Sequence, residues 1–111
     1  MSTDVIPFIQ WGSFPSRDKQ NPDILNIEVV SLEQWESEFS INVHVKLEIH
    51  DSWEDRILPL KSHDSRNSML LKKWKNAVNK KQIKPGTRLS IHTFMGKSKN
   101  DNPMRHYDLI F

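Results

Sequence analysis

From Phe39 to His50 the chain alternates apolar and polar side chains without a break. Phe39, Ile41, Val43, Val45, Leu47 and Ile49 take the odd positions, and Ser40, Asn42, His44, Lys46, Glu48 and His50 the even ones. Strict period two sends the two sets to opposite faces of a β-strand. Such a strand needs a sheet that is dry on one face and wet on the other, which excludes an all-helical domain. The rest of the chain has to supply its neighbours.

The flanking segments do so. In 24–35, Leu25, Ile27 and Val29 share one parity, and then Val30 and Leu32 take the other. A parity flip inside a strand is what one extra residue produces, so a β-bulge is expected near Val29-Val30. Trp53 to Lys61 reads as a third strand, in which Pro59 cannot donate to a ladder and marks an edge or the strand's end. Residues 65–81 read as a helix with an apolar stripe of Leu70, Leu71, Trp74, Ala77 and Val78, capped by Asp64 or Ser65. Lys84-Pro85-Gly86 ends it. Two further alternating runs, Thr87 to Met95 and Arg105 to Phe111, flank the turn-rich stretch Gly96 to Pro103. Together they read as a hairpin with a basic tip.

A chain of 111 residues fits one domain. Residues 1–23, interrupted by Pro7, Pro15 and Pro22, read as an N-terminal arm, and 24–111 as the domain. The arm carries Ile6, Phe8, Trp11 and Phe14, too apolar a set for a wholly solvated tail, so it is expected to pack on the domain or on a partner. With no cysteine there is no disulfide, thiolate metal site or thiol catalysis. No apolar run is long enough to span a membrane. Met1 to Val5 lacks the order of a signal peptide, and a cytoplasmic location is expected. The net charge of +2 hides a strong asymmetry. Residues 1–60 hold four Lys/Arg against eleven Asp/Glu, and 61–111 hold twelve against three. A basic half suits an anionic partner, although a solvated lysine-rich helix produces the same count.

The element order is three strands, a helix and two strands, with a long bulged first strand. In this order and these lengths, 24–111 resembles the OB-fold, a five-stranded Greek-key β-barrel with the helix between strands 3 and 4. No signature motif carries the resemblance, and the glycine common in that family's first strand is absent. The resemblance implies a mainly β fold and a single-stranded nucleic-acid binder, DNA ahead of RNA. Its binding face would lie on strands two and three, flanked by the loop between strands four and five. Carried onto this chain, it places Asn42, His44, Lys46, His50, Trp53 and Arg56 on the face, with Lys97, Lys99 and Arg105 at the loop. Trp53 and Phe94 would offer rings for bases, and the cations would hold phosphates. Glu48, Glu54 and Asp55 lie among these residues and oppose phosphate binding.

Other chemistry finds little support. Five histidines show no ligand spacing, and His44 and His50 would stand about 20 Å apart along a strand. No nucleophile elbow or glycine-rich phosphate loop occurs. No enzyme, cofactor or metal is therefore expected. The competing reading is a protein-interaction module in which Ile6, Phe8, Trp11 and Phe14 engage a partner or a second copy.

Overall fold

The structure, a computed structural model, describes residues 5–111, so the first four residues of the expected arm lie outside the described residues. The fold is mainly β with one helix, in an antiparallel sheet. Its strands are β1 (Asp23–Val29), β2 (Trp35–Glu36), β3 (Ser40–Ile49), β4 (Ser52–Ser62), β5 (Arg88–Lys97) and β6 (Pro103–Ile110). The helix α1 (Met69–Asn79) lies between β4 and β5. β4 lies on one edge of β3, β1 and the short β2 share the other, and β5 and β6 follow beyond β1.

The long first strand is divided. After Val29, the Val30 and Ser31 amides both turn to the His44 carbonyl (3.1 and 3.4 Å), so two residues oppose one. This is a bulge, one residue beyond the expected position. The chain rejoins β3 only at Trp35 and Glu36, which makes six strands instead of five.

The expected closed barrel does not form: β4 and β6 are not paired with each other. Each free edge has another partner. On β4, the Ile9 amide donates to the Ile57 carbonyl (2.8 Å) and the Ile57 amide to the Pro7 carbonyl (2.9 Å), a parallel bridge made by the arm. Pro59 lies on this same edge, where it needs no donor, and its carbonyl accepts the Trp11 indole N–H. On β6, the Arg105 carbonyl accepts from the Asn67 side chain, the Tyr107 carbonyl from Lys73, and the Tyr107 amide donates to the Met69 sulfur. Arm and helix thus cover edges that would otherwise pair with other chains.

One core joins all layers: Leu25, Ile27 and Val29 of β1, Val43 and Val45 of β3, Leu58 and Leu60 of β4, Leu89 and Ile91 of β5, Tyr107 of β6, and Ile9 of the arm. α1 adds Leu70, Leu71, Trp74 and Ala77. An isolated helix of eleven residues is marginal in water, so this packing holds it. It starts at Met69, four residues later than expected. Neither Asp64 nor Ser65 caps it; the Asn67 side chain accepts the Met69 amide instead (3.1 Å).

The alternation in β3 breaks at its start. The register against β4 shifts between Ile41 and Asn42, the position where Leu60 is left over. Asn42 is fully buried and hydrogen-bonded to the buried Ser40, while Phe39 is 67% exposed, the reverse of the period-two expectation for all three. Phe111, the last residue of the alternating run from Arg105, lies beyond the last strand and is exposed.

Candidate nucleic-acid interface

The outward face of β3 and β4 is electrostatically self-contained. Strand register sets Asp55, Lys46, Glu28 and Arg88 side by side across β4, β3, β1 and β5, with charges alternating in sign. The Arg88 Nε lies 2.9 Å from Glu28, and the His44 Nε2 lies 2.9 Å from Asp55. Charges alternating along this row offset one another, and a phosphate placed over it would meet a carboxylate for every cation.

The expected rings are committed as well. The Arg88 guanidinium sits 4.3 Å from the centre of the Trp53 ring. Phe94 is stacked on His106, with centroids 4.9 Å apart and planes within 7°. Gly96 makes room for this pair, because a Cβ there would stand 2.8 Å from the His106 ring.

The remaining predicted residues do not share that face. Arg56 pairs in register with the buried Val45, on the opposite side of β4 from Trp53, and reaches Glu54 (3.8 Å) and the Asp55 carbonyl (2.7 Å). His50 sits in the β3–β4 turn with a left-handed backbone (φ 49°). Lys97 and Lys99 are exposed at the β5–β6 tip, and Lys97 lies 3.3 Å from Asp101. Arg105 turns inward, where it bonds the Thr93 hydroxyl (3.2 Å) and the Phe14 carbonyl (3.1 Å). Sequence reasoning therefore named a set of nucleic-acid contacts that the fold does not bring together on one face.

The fold assembles a different site. A cleft of about 840 Å³ opens where five segments meet. The arm supplies Phe8, Ile9, Gln10 and Trp11; the loop before β3 and the first residue of that strand supply Phe39 and Ser40; the end of β4 supplies Pro59 to Ser62. The stretch before α1 adds Ser65, Arg66 and Asn67, and the β5–β6 hairpin adds Ser98, Pro103, Met104, Arg105 and Tyr107. Its volume lies in the upper part of the range of ligand clefts, on the order of 300–1,000 Å³. Three cations, Lys61, Arg66 and Arg105, line it, and among the described residues no Asp or Glu does.

The walls are held in place. Trp11 meets Tyr107 edge to face, with centroids 4.9 Å apart. Burial pushes the Tyr107 hydroxyl up to about 12, against a smaller opposing effect of Arg105, so this wall stays neutral at working pH. Lys61 bonds the Ser65 carbonyl (2.9 Å), and Asn67 ties the pre-helix stretch to β6 through the Arg105 carbonyl (2.9 Å). His63 fixes the loop that carries Phe39, its amide donating to the Phe39 carbonyl (2.8 Å) and its ring lying 3.1 Å from the Ser37 carbonyl.

Of the predicted partner-binding arm residues, Phe8 and Trp11 line this cleft, and Phe14 and Ile6 are half-buried on the chain's own domain. The arm's apolar character is thus used within the chain. Sequence reasoning missed Phe39, Lys61 and Arg66. An aromatic beside a turn at Glu38 was the one local sign of Phe39's exposure, and Lys61 and Arg66 carried no local sign.

Comparison with protein-family models, with curated proteins and with solved structures finds no match. Among the described residues no group of three His, Cys, Asp or Glu is placed to hold a metal ion, and no helix is long and apolar enough to cross a membrane.

Proposed function

We propose that the chain binds single-stranded nucleic acid in this cleft, without catalysis. One observation carries the reading: a large cleft lined by three cations and several aromatic rings, with no carboxylate among its described lining residues. Cations track a phosphate backbone, and exposed rings take unstacked bases, a combination that suits single strands and not paired ones. Phe39 at the rim and Trp11 on the arm wall are the stacking candidates, and Lys61, Arg66 and Arg105 the phosphate candidates. Lys99, exposed at the hairpin tip beside Ser98, extends the basic rim.

The strand neighbours support an OB-like reading of the sheet, in its open form. β1 lies between β3 and β5, β6 follows β5, and the loops before β3 and between β5 and β6 both reach the cleft. In that family the corresponding loops flank the ligand. The ligand position proposed here differs from the strand-face position first expected, because that face is neutralised by its own carboxylates.

The test is a tryptophan-fluorescence titration with oligo-dT at two salt concentrations, with oligo-U alongside. Trp11 reports from the cleft wall. Three phosphate contacts predict a slope of log affinity on log salt of about −2, at about −0.7 per contact for a single strand. Absence of any spectral change at low salt with either oligonucleotide would remove the proposal.

A further inference from the structure

The cleft does not absorb the strongest charge feature of the chain. From residue 65 to residue 100 there is no Asp or Glu, while ten Lys/Arg occur. Arg66 belongs to both features, since it lines the cleft and stands three residues before α1. The helix buries Leu70, Leu71, Trp74 and Ala77 and leaves Lys72 and Lys75 exposed on its outer side, with Lys80 exposed at its C-cap. Lys73 is different: its ammonium is committed to the Tyr107 carbonyl (2.6 Å) and Asp108 (2.8 Å). Among the described residues, Lys72, Lys75 and Lys80 make no ion pair.

We infer that α1 is a second phosphate-binding track, on which a single strand leaving the cleft past Arg66 continues along Lys72, Lys75 and Lys80. The inference rests on the proposed cleft function and names the ligand's length and path. Lys72 and Lys80 stand about 12 Å apart along the axis at 1.5 Å per residue. That span accommodates successive phosphates of an extended strand. The hairpin tip is the poorer exit, because Lys97 there is paired with Asp101. The occupant is nucleic acid because the charge of the track complements a polyanion and Arg66, which lines the cleft, stands three residues before the helix.

The experiment compares two fluorescein-labelled oligo-dT probes by anisotropy, one of about 4 nucleotides that fills the cleft and one of about 15 that runs past it. The variant carries Lys72→Gln, Lys75→Gln and Lys80→Gln together. Gln has nearly the helix propensity of Lys, so the fold is retained, checked by thermal melting. A second variant replaces the same three residues by Arg. The expected result is an unchanged short-probe affinity with a long-probe loss of about 100-fold at 0.1 M salt, and a slope shallower by about 2. The Arg variant keeps long-probe affinity.

An equal effect on both probes, or none on either, overturns the track while leaving the cleft intact. Failure of the unmodified protein to bind either probe overturns the cleft reading itself. Retained long-probe binding together with lost binding to an acidic protein column assigns the lysines to a protein partner, and also overturns the track.

Discussion

Replacing Phe39 by Ala isolates stacking from folding. The ring is 67% exposed, on the loop that precedes β3, and it lies outside the buried core. Its removal therefore leaves stability within about 0.5 kcal/mol, the usual range for surface substitutions. If a base stacks on it, the loss is about 1–3 kcal/mol of binding, or about 5- to 150-fold in affinity. Anisotropy titration with a labelled oligo-dT at fixed salt measures the binding loss, and urea denaturation the stability. The salt slope stays unchanged, because no cation is removed. Phe39→Trp retains a face for the base and keeps affinity. An intact fold whose affinity for oligo-dT and oligo-U falls less than twofold would refute the assignment of Phe39 as a stacking platform. A parallel loss of stability would show instead that the ring holds the β3 loop.

The arm's role in the fold is tested by Ile9→Ala. Ile9 is 4% exposed within the core, so the change costs about 2–4 kcal/mol in urea denaturation; a cost below about 0.5 would mean that the arm is not seated there. Gly96→Ala forces a Cβ to within 2.8 Å of His106, and it lowers stability by about 1–3 kcal/mol while leaving oligonucleotide affinity unchanged. The raised pKa of Tyr107 makes a pH prediction. Below the unfolded value of 10 both states hold the proton. Between 10 and about 12 only the unfolded state releases it, so stability falls by about 1.4 kcal/mol per pH unit, and Tyr107→Phe abolishes that component. Denaturation curves of both proteins between pH 9 and about 12 check it, and parallel curves would contradict the assignment.

Much of the fold is visible in the pattern of residues. The alternation in β3, the stripe that centres on Trp74, and the two runs around Gly96 to Pro103 each correspond to an element of the structure. Their success has a local cause: periodicity reports which face of an element is dry, and that holds within one element. The failures arise where one residue's offset or a distant segment decides. The shift at Ile41/Asn42 buries Asn42 and Ser40 and turns Phe39 out, and no local rule places a register shift there. The open seam between β4 and β6 depends on Pro7 to Ile9 reaching Ile57, some fifty residues away.

The site was harder to read than the fold. Trp53 and Phe94 looked free because their partners, Arg88 and His106, are neighbours only across strands, and the carboxylates of Glu28 and Asp55 that flank Lys46 are set beside it only by strand register. The cleft draws on five separate segments, so the absence of carboxylates among its described lining residues is invisible until they meet. Arg105 was named as a phosphate contact, and its position in the cleft comes with two bonds to Thr93 and Phe14 that only the folded chain reveals.

The central claim is that ligand binds in the cleft and not on the strand face. Amide chemical-shift mapping by NMR, with oligo-dT added to the full chain, separates the two most directly. The account predicts shifts concentrated at Phe39, Lys61, Ser62, Arg66, Asn67 and Ser98, with the Trp11 indole also moving. Shifts concentrated at His44, Lys46, Trp53 and Asp55, with the cleft amides unmoved, would contradict it.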